Sequence, residues 1–297
     1  MCREDVQMCK YADAKIEMRQ SQNHIMMKVT SLLLLAALGL SSCKWGNEKK
    51  VQTDGIFRDT VAYTYQAIHE RAADCGSKPD STCTVVDIKY PVFKGKPVLN
   101  DTVKHKLLNM FMLGEKADTS LNTMTAAFIK SYEDFKNDDP QSKMYYTLNS
   151  YAKVIGQDSA LITLEYGGYA FQGGAHGGSF TGFITWDGKL NKNVTLDDIL
   201  IAGYKPELTK VAERIFRKDE KLTPTKPLDD YFFDKNKFAL NQNYSITPLG
   251  LRFMYNQYEI KPYAAGQTEL IIPYSEISKL MRPKSVASQY LHKNAGI

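Results

Sequence analysis

Apolar positions recur at intervals of two in some stretches and of three to four in others, and these intervals predict strands and helices. Val61, Tyr63 and Tyr65 alternate with polar residues and predict a strand. "TCTVVDIKYPVF" predicts a second, ending near Pro91. In "GKPVLNDTVKHKLLNMFML", Asn100 or Asp101 is placed to cap a helix with Val103, Leu107, Leu108 and Phe111 on one face. Met124, Phe128, Tyr132 and Phe135 mark another helix, which the Asn-Asp-Asp-Pro turn at Pro140 ends.

Beyond Pro140 the pattern shifts. "MYYTLNSYAKVIGQDSALITLEYGGYAFQ" predicts two long strands joined near Gly156, and "SFTGFITWDGKLN" a third, closed by a Trp-Asp-Gly turn. Leu208, Val211, Ile215 and Phe216 lie on one face of a helix with Pro206 near its start. A strand pair around Pro248-Leu249-Gly250 follows, then a strand, a proline and a short amphipathic helix in "TELIIPYSEISKLM". Antiparallel hairpins and separated helices predict an α+β fold of two small domains, with antiparallel sheets and helices packed on one face. The shift near Pro140 sets the boundary: an N-terminal domain over 57–140 and a C-terminal one over 141–297.

The first 43 residues read differently. "MKVTSLLLLAALGLSSC" has a charged start at Lys28, an apolar run from Leu32 to Leu40, and small residues before Cys43. That run is far shorter than the ~20 residues a spanning helix needs. Leu-Ser-Ser-Cys resembles a bacterial lipobox, which implies cleavage before Cys43 and lipid on its thiol; an ordinary cleaved signal peptide is the alternative. Residues 1–26 are polar and read as an upstream extension or long leader, so 1–43 is leader plus signal. Residues 44–56, "KWGNEKKVQTDGI", are polar and read as a flexible tether. A bacterial envelope location is expected, facing the periplasm or the cell surface, with a monomer that meets the membrane only through its N-terminal lipid.

From Cys43 onward the chain carries 33 Lys and Arg against 29 Asp and Glu, with no basic stripe, so a nucleic-acid partner is not expected. Cys75 and Cys83, eight positions apart, predict one disulfide in an oxidising compartment. No histidine pair has ligand spacing, and neither a metal nor another cofactor is expected. There is no Gly-x-Ser-x-Gly, no His-Glu-x-x-His and no phosphate loop. "GGYAFQGGAHGGS" lacks the glycine spacing that opens a helix, and strand residues follow it. Its glycines predict a bent or bulged crossing of the sheet, with His176 as a scaffold or contact residue.

Tyrosines crowd around glycine and proline in "EYGGYAFQ" and "MYNQYEIKPYAAG". Tyrosine offers a large apolar face and a polar tip at low entropy cost, which suits binding surfaces; the alternative is that these rings form the sheet core. The candidate partner-binding residues are Tyr166, Tyr169, Gly173, Gly174, His176, Gly177, Tyr258, Pro262 and Tyr263, and no catalytic residue is assigned. The opposing expectation is a cell-wall hydrolase in which His176 works with a nearby carboxylate such as Glu165 or Asp187; for these two a surface position is expected.

These segments carry a resemblance. The Gly-Gly-Ala-His loop, Leu-Asp-Asp-Ile at 196–199, "YEIKPYAAG" at 258–266 and "IPYSE" at 272–276 resemble the extracytoplasmic domain of RsiV-like proteins. "IKYPVFKGKPVLNDTVKHKLL" resembles the smaller α/β domain that precedes it in that family. The resemblance implies a stand-alone lipoprotein without catalytic activity. Its members include lysozyme-binding sensors and accessory domains beside a peptidoglycan deacetylase, which makes a lysozyme-like protein or cell-wall glycan the expected partner. This chain lacks the Thr-Phe-Asp-Asp and His-x-x-x-His motifs of that deacetylase.

Overall fold

The computed structural model describes residues 61–111, 113 and 118–291. The signal segment with Cys43 and the tether 44–56 lie outside the described residues. Among the described residues no helix is long and apolar enough to cross a membrane.

Strands β1 (Tyr63–Arg71) and β2 (Val85–Phe93) are followed by helices α1 (Pro97–Leu108) and α2 (Leu121–Asp138). Then come β3 (Thr147–Gln157), β4 (Leu161–Phe171), β5 (Gly178–Asp187) and the short β6 (Lys192–Asn193). These six strands form one sheet in sequence order. Helices α3 (Leu196–Ile199) and α4 (Lys205–Asp219) lead to a three-stranded sheet of β7 (Tyr244–Thr247), β8 (Gly250–Tyr255) and β9 (Thr268–Pro273). The fold is α+β and its pairings are antiparallel, with one exception.

That exception corrects the expected domain division. Val85–Lys89 of β2 pair in parallel with Thr147–Tyr151 of β3. Parallel neighbours need a long crossover, here α1 and α2. The change of pattern near Pro140 marks the end of the crossover helix, and the boundary at 140/141 falls inside a continuous sheet. Pro91 is compatible with its strand for a related reason. Lys94 donates to the Ala62 carbonyl, so alternation points the backbone nitrogen of Pro91 away from β1, where β3 has already stopped pairing.

Helix α1 starts at Pro97, whose missing N–H costs nothing in a first turn. Asn100, expected as a cap, instead ties helix to strand. Its amide donates to the Phe93 carbonyl at 2.9 Å and its oxygen accepts the Phe93 N–H at 2.8 Å. Leu99, Val103 and Leu107 are buried beneath it. Ser120 caps α2 in a reciprocal pair with Thr123, and Met124, Phe128 and Tyr132 form its buried stripe.

These helices cover one face of the six-stranded sheet and make the first core with Val86, Ile88, Leu148, Ile162, Leu164 and Trp186. A second core joins α4 to the small sheet through Leu208, Phe216, Phe253 and Ile272. Strand β4 is buried from Leu161 to Gly167 on both faces, with Ile162 and Leu164 in the first core and Leu161 in the second. The Thr185 hydroxyl meets the Ile246 N–H at 3.4 Å where β5 approaches β7. Cys75 and Cys83 are joined, with Cα atoms 5.4 Å apart and both side chains buried in the first core.

Two turns differ from expectation. Asn191, not Gly188, takes the left-handed conformation between β5 and β6, while Asp187 accepts the N–H groups of Lys189 and Leu190. Beyond Pro273 the chain makes two single 3-10 turns, Tyr274–Glu276 and Ser278–Leu280, instead of an amphipathic helix. Ile277, at φ −124°, breaks the helical path between them.

Candidate functional site

Residues 172–177 form the hairpin loop between β4 and β5, with Gly178 opening β5, and not a bent crossing of the sheet. Gly173 and Gly174 have φ of 98° and 90°, a conformation that side chains resist. The later glycine serves a different need. A Cβ at Gly177 would lie 2.4 Å from the Tyr169 ring, which lies across it.

The hairpin docks on the segment that follows β8. The His176 ring stacks on Tyr263 with centroids 3.8 Å apart and planes 18° apart. Its Nε2 lies 3.1 Å from the Tyr258 hydroxyl and its Nδ1 3.1 Å from the Gly177 carbonyl. A carbonyl can only accept, so Nδ1 donates to Gly177, and in the tautomer this leaves, Nε2 accepts from Tyr258. Both ring nitrogens are then engaged. Tyr258 is 56% exposed and holds φ of 65°, an uncommon value for a large residue and one that aims its ring outward at the hairpin.

Amides lock the same junction below the rings. Asn256 accepts from the Thr181 N–H at 2.8 Å, and its amide donates to the Thr181 carbonyl at 3.0 Å. Gln267 donates to Asn256 at 2.8 Å, and Asn243 to the Thr181 carbonyl at 2.7 Å. The result is an aromatic platform of His176, Tyr258 and Tyr263 on a base of hydrogen-bonded amides, with Pro262 and Gly174, close by in sequence, exposed. Spacing in the sequence gives no sign of that base, since Thr181 and Asn256 stand 75 positions apart.

Two candidates do not belong to the surface. Tyr166 is 7% exposed and part of the first core. It sits directly opposite Gly182, and its ring covers that glycine. Burial pushes its hydroxyl up to about 12. Gly177 is also buried, under Tyr169. In both cases the glycine leaves room for a tyrosine ring to lie across the backbone, in the core at Gly182 and beside the hairpin loop at Gly177.

The carboxylates expected at the surface are buried too, Glu165 at 9% exposure and Asp187 at 3%. Burial alone would raise the Glu165 carboxyl. Hydrogen bonds from Lys153 and Tyr151, with the charges of Lys153 and Arg252, outweigh that and lower its pKa. In the register Glu165 faces Phe183, four positions from Asp187, or roughly 13 Å along a strand. Glycosidase carboxylates lie about 5–9.5 Å apart, so these two do not form such a pair. Neither makes a hydrogen bond to His176. Among the described residues no group of three or more His, Cys, Asp or Glu is placed to hold a metal ion.

With the geometry in place, comparison with known proteins adds the family context. Residues 77–179 match the family model described as Deacetylase PdaC, and residues 197–275 match Protein of unknown function (DUF3298). The chain is thus similar to PdaC over the first stretch and to DUF3298 over the second. The crystal structure of a DUF3298 family protein from Pseudomonas aeruginosa PAO1 is 26% identical, with a TM-score of 0.59 over 76% of this chain and 96% of that one. A DUF3298 family member from Bacteroides fragilis shares the fold at 22% identity, with a TM-score of 0.62 over 79% of this chain and 98% of its own. No curated protein matches. The platform takes its hairpin from the end of the PdaC-like match and its tyrosines from the DUF3298 match.

Proposed function

We propose that this protein is a non-catalytic binding module of the bacterial cell envelope, tethered by lipid on Cys43, whose aromatic platform takes cell-wall glycan. The observation that carries the reading is His176, with both ring nitrogens held by Tyr258 and Gly177 and its face stacked on Tyr263. A general base needs a free lone pair within reach of a substrate proton, and this imidazole has none to spare. Exposed aromatic rings beside amide side chains suit a sugar, which offers apolar C–H faces and a rim of hydroxyls. The PdaC-like match supports an envelope setting, because in the family the sequence resembles such domains stand beside a peptidoglycan deacetylase. The same resemblance makes a lysozyme-like muramidase the second ligand to test, and with the lipobox-like segment it supports the reading of a monomer in the periplasm or at the cell surface.

The test measures retention on insoluble peptidoglycan and on immobilised lysozyme for the wild type and Tyr258→Ala. Retention of the wild type on peptidoglycan, largely lost in the variant at unchanged melting temperature, is expected. Equal retention of the two, or none on either support, would remove the platform as the ligand site. Peptidoglycan turnover that His176→Ala abolishes would replace binding by hydrolysis. Incorporation of labelled fatty acid, lost in Cys43→Ser, tests the anchor.

A further inference from the structure

The six-stranded sheet ends at β1, and among the described residues β2 is its only partner. Two bonds fix which way the β1 backbone faces. Lys94 donates to the Ala62 carbonyl at one end, and Ala72 donates to the Thr84 carbonyl at the other. In an antiparallel pair such contacts fall on alternate residues, so Thr64, Gln66, Ile68 and Glu70 face β2. Tyr65, Ala67, His69 and Arg71 therefore aim their N–H and C=O groups out of the sheet. The strand is nine residues long, "YTYQAIHER", with no proline, lysine or bulge to blunt it. Natural edges of this length are normally blocked by such devices.

A groove of about 320 Å³ runs beside this edge, between β1 and α2. Ile68, Ala126 and Ile129 give it an apolar floor, and Glu70 and Glu133 stand at its rim. Its two cations are already engaged: Arg71 with Asp80 at 2.9 Å and Lys130 with Asp134 at 2.9 Å. Glu70 and Glu133 make no ion pair among the described residues. With Asp80 and Asp134 included, four carboxylates stand against two cations around the groove, so its charge balance is negative.

We propose that the open edge of β1 accepts an extended peptide as a seventh strand, one apolar side chain seated in the groove against Ile68 and Ile129 and a Lys or Arg two residues away beside Glu70 and Glu133. Backbone groups repeating about every 7 Å match an extended chain, and side chains at i and i+2 share one face. A second copy of this chain fits less well. In an antiparallel self-pair centred on Ala67, Gln66 of the second copy would stand opposite Ile68 and its Thr64 opposite Glu70. Neither is apolar or cationic, and Gln66 already accepts from the Tyr90 hydroxyl at 2.9 Å. This site lies at the opposite edge of the sheet from the β4–β5 hairpin and goes beyond the glycan reading.

The probe is a fluorescein-labelled heptapeptide of threonines carrying one isoleucine and, two positions on, one lysine. Saturable binding by fluorescence anisotropy is expected for the full chain. Ala67→Pro removes one outward N–H and leaves the bonds to β2 in place, and should weaken binding on the order of tenfold at unchanged circular dichroism. Glu133→Lys, on the exposed face of α2, should weaken it similarly, and a peptide with glutamate for lysine should regain binding to that variant. If Ala67→Pro does not fold, this charge swap alone decides. No saturable binding up to about 1 mM, or equal binding by wild type and Glu133→Lys, would overturn the proposal. So would a dimer by sedimentation that the peptide does not displace, which would assign the edge to a second copy.

Discussion

Gly182→Ala tests whether the glycines of this sheet are there for the tyrosines that cover them. A Cβ at Gly182 would lie 2.4 Å from Cζ, 2.6 Å from the hydroxyl and 2.7 Å from Cε1 of Tyr166, where ordinary contact begins at 3.4 Å. The ring must retreat by about 1 Å. It has little room: Tyr166 is 7% exposed, with Phe180 at 5.7 Å between centroids on one side and the Lys106 ammonium at 5.9 Å. Overpacking a buried site costs about 1–3 kcal/mol. For a chain of this size each kcal/mol shifts the melting temperature by about 2–4 °C, so a fall of about 2–12 °C is expected. The cause is separated from a general intolerance of alanine by a double-mutant cycle. Tyr166→Ala alone should cost about 3–5 kcal/mol, as large-to-small aromatic changes do. In that background Gly182→Ala meets no ring and should be neutral, or stabilising by about 0.4–1 kcal/mol through the unfolded state. Urea denaturation of the four proteins gives the coupling, expected at about 1–3 kcal/mol. Equal cost of Gly182→Ala in both backgrounds would refute the covering role.

Removing the disulfide by the paired change Cys75→Ser and Cys83→Ser should cost about 2–3 kcal/mol by loop-closure entropy, read from urea midpoints under non-reducing conditions; an unchanged midpoint would contradict it. His69 has a raised pKa, chiefly through its 2.6 Å hydrogen bond to Asp87. That stabilisation is complete below the unfolded value of about 6.5 and is lost as pH rises through the folded one, so the stability gap between wild type and His69→Gln should narrow with rising pH. Glu165 behaves oppositely. Its folded pKa is lowered, so its contribution is present above about 4.3 and fades as pH falls through the folded value. Glu165→Gln should cost about 1–3 kcal/mol at neutral pH, with a difference that shrinks in acid; a pH-independent difference would exclude the charge as its source.

How much of this was legible depends on the range of the interaction. The stripes of α2 and α4 lie within one element, and their periodicity found Phe128, Tyr132, Leu208 and Phe216 without help from the rest of the chain. The parallel β2–β3 pairing depends on which strands meet after a crossover, which neither strand records. Glu165 looked like surface charge because polarity is local while its compensation is not: Lys153, Tyr151 and Arg252 come from two other strands. Tyr166 and Tyr169 were indistinguishable as letters, since both flank the same glycine pair. The register separates them, placing one on the helix-covered face and the other on the opposite face. The platform was half legible. Both its segments stood out by glycine and tyrosine, but their junction rests on Asn256 and Thr181, which no local pattern connects.

The six-stranded sheet bears on inheritance. The PdaC-like match ends at residue 179, the second residue of β5, and the DUF3298 match begins at residue 197. Most of β5 lies between them, yet its Ile184 and Trp186 fill the first core while its Thr185 meets the small sheet. A recombination breakpoint within β5 would leave β4 without part of its neighbour, whereas one between Asn193 and Leu196 would keep all six strands together. A working separation or fusion of the two regions is therefore expected to place its joint after β6, not at the end of the PdaC-like match.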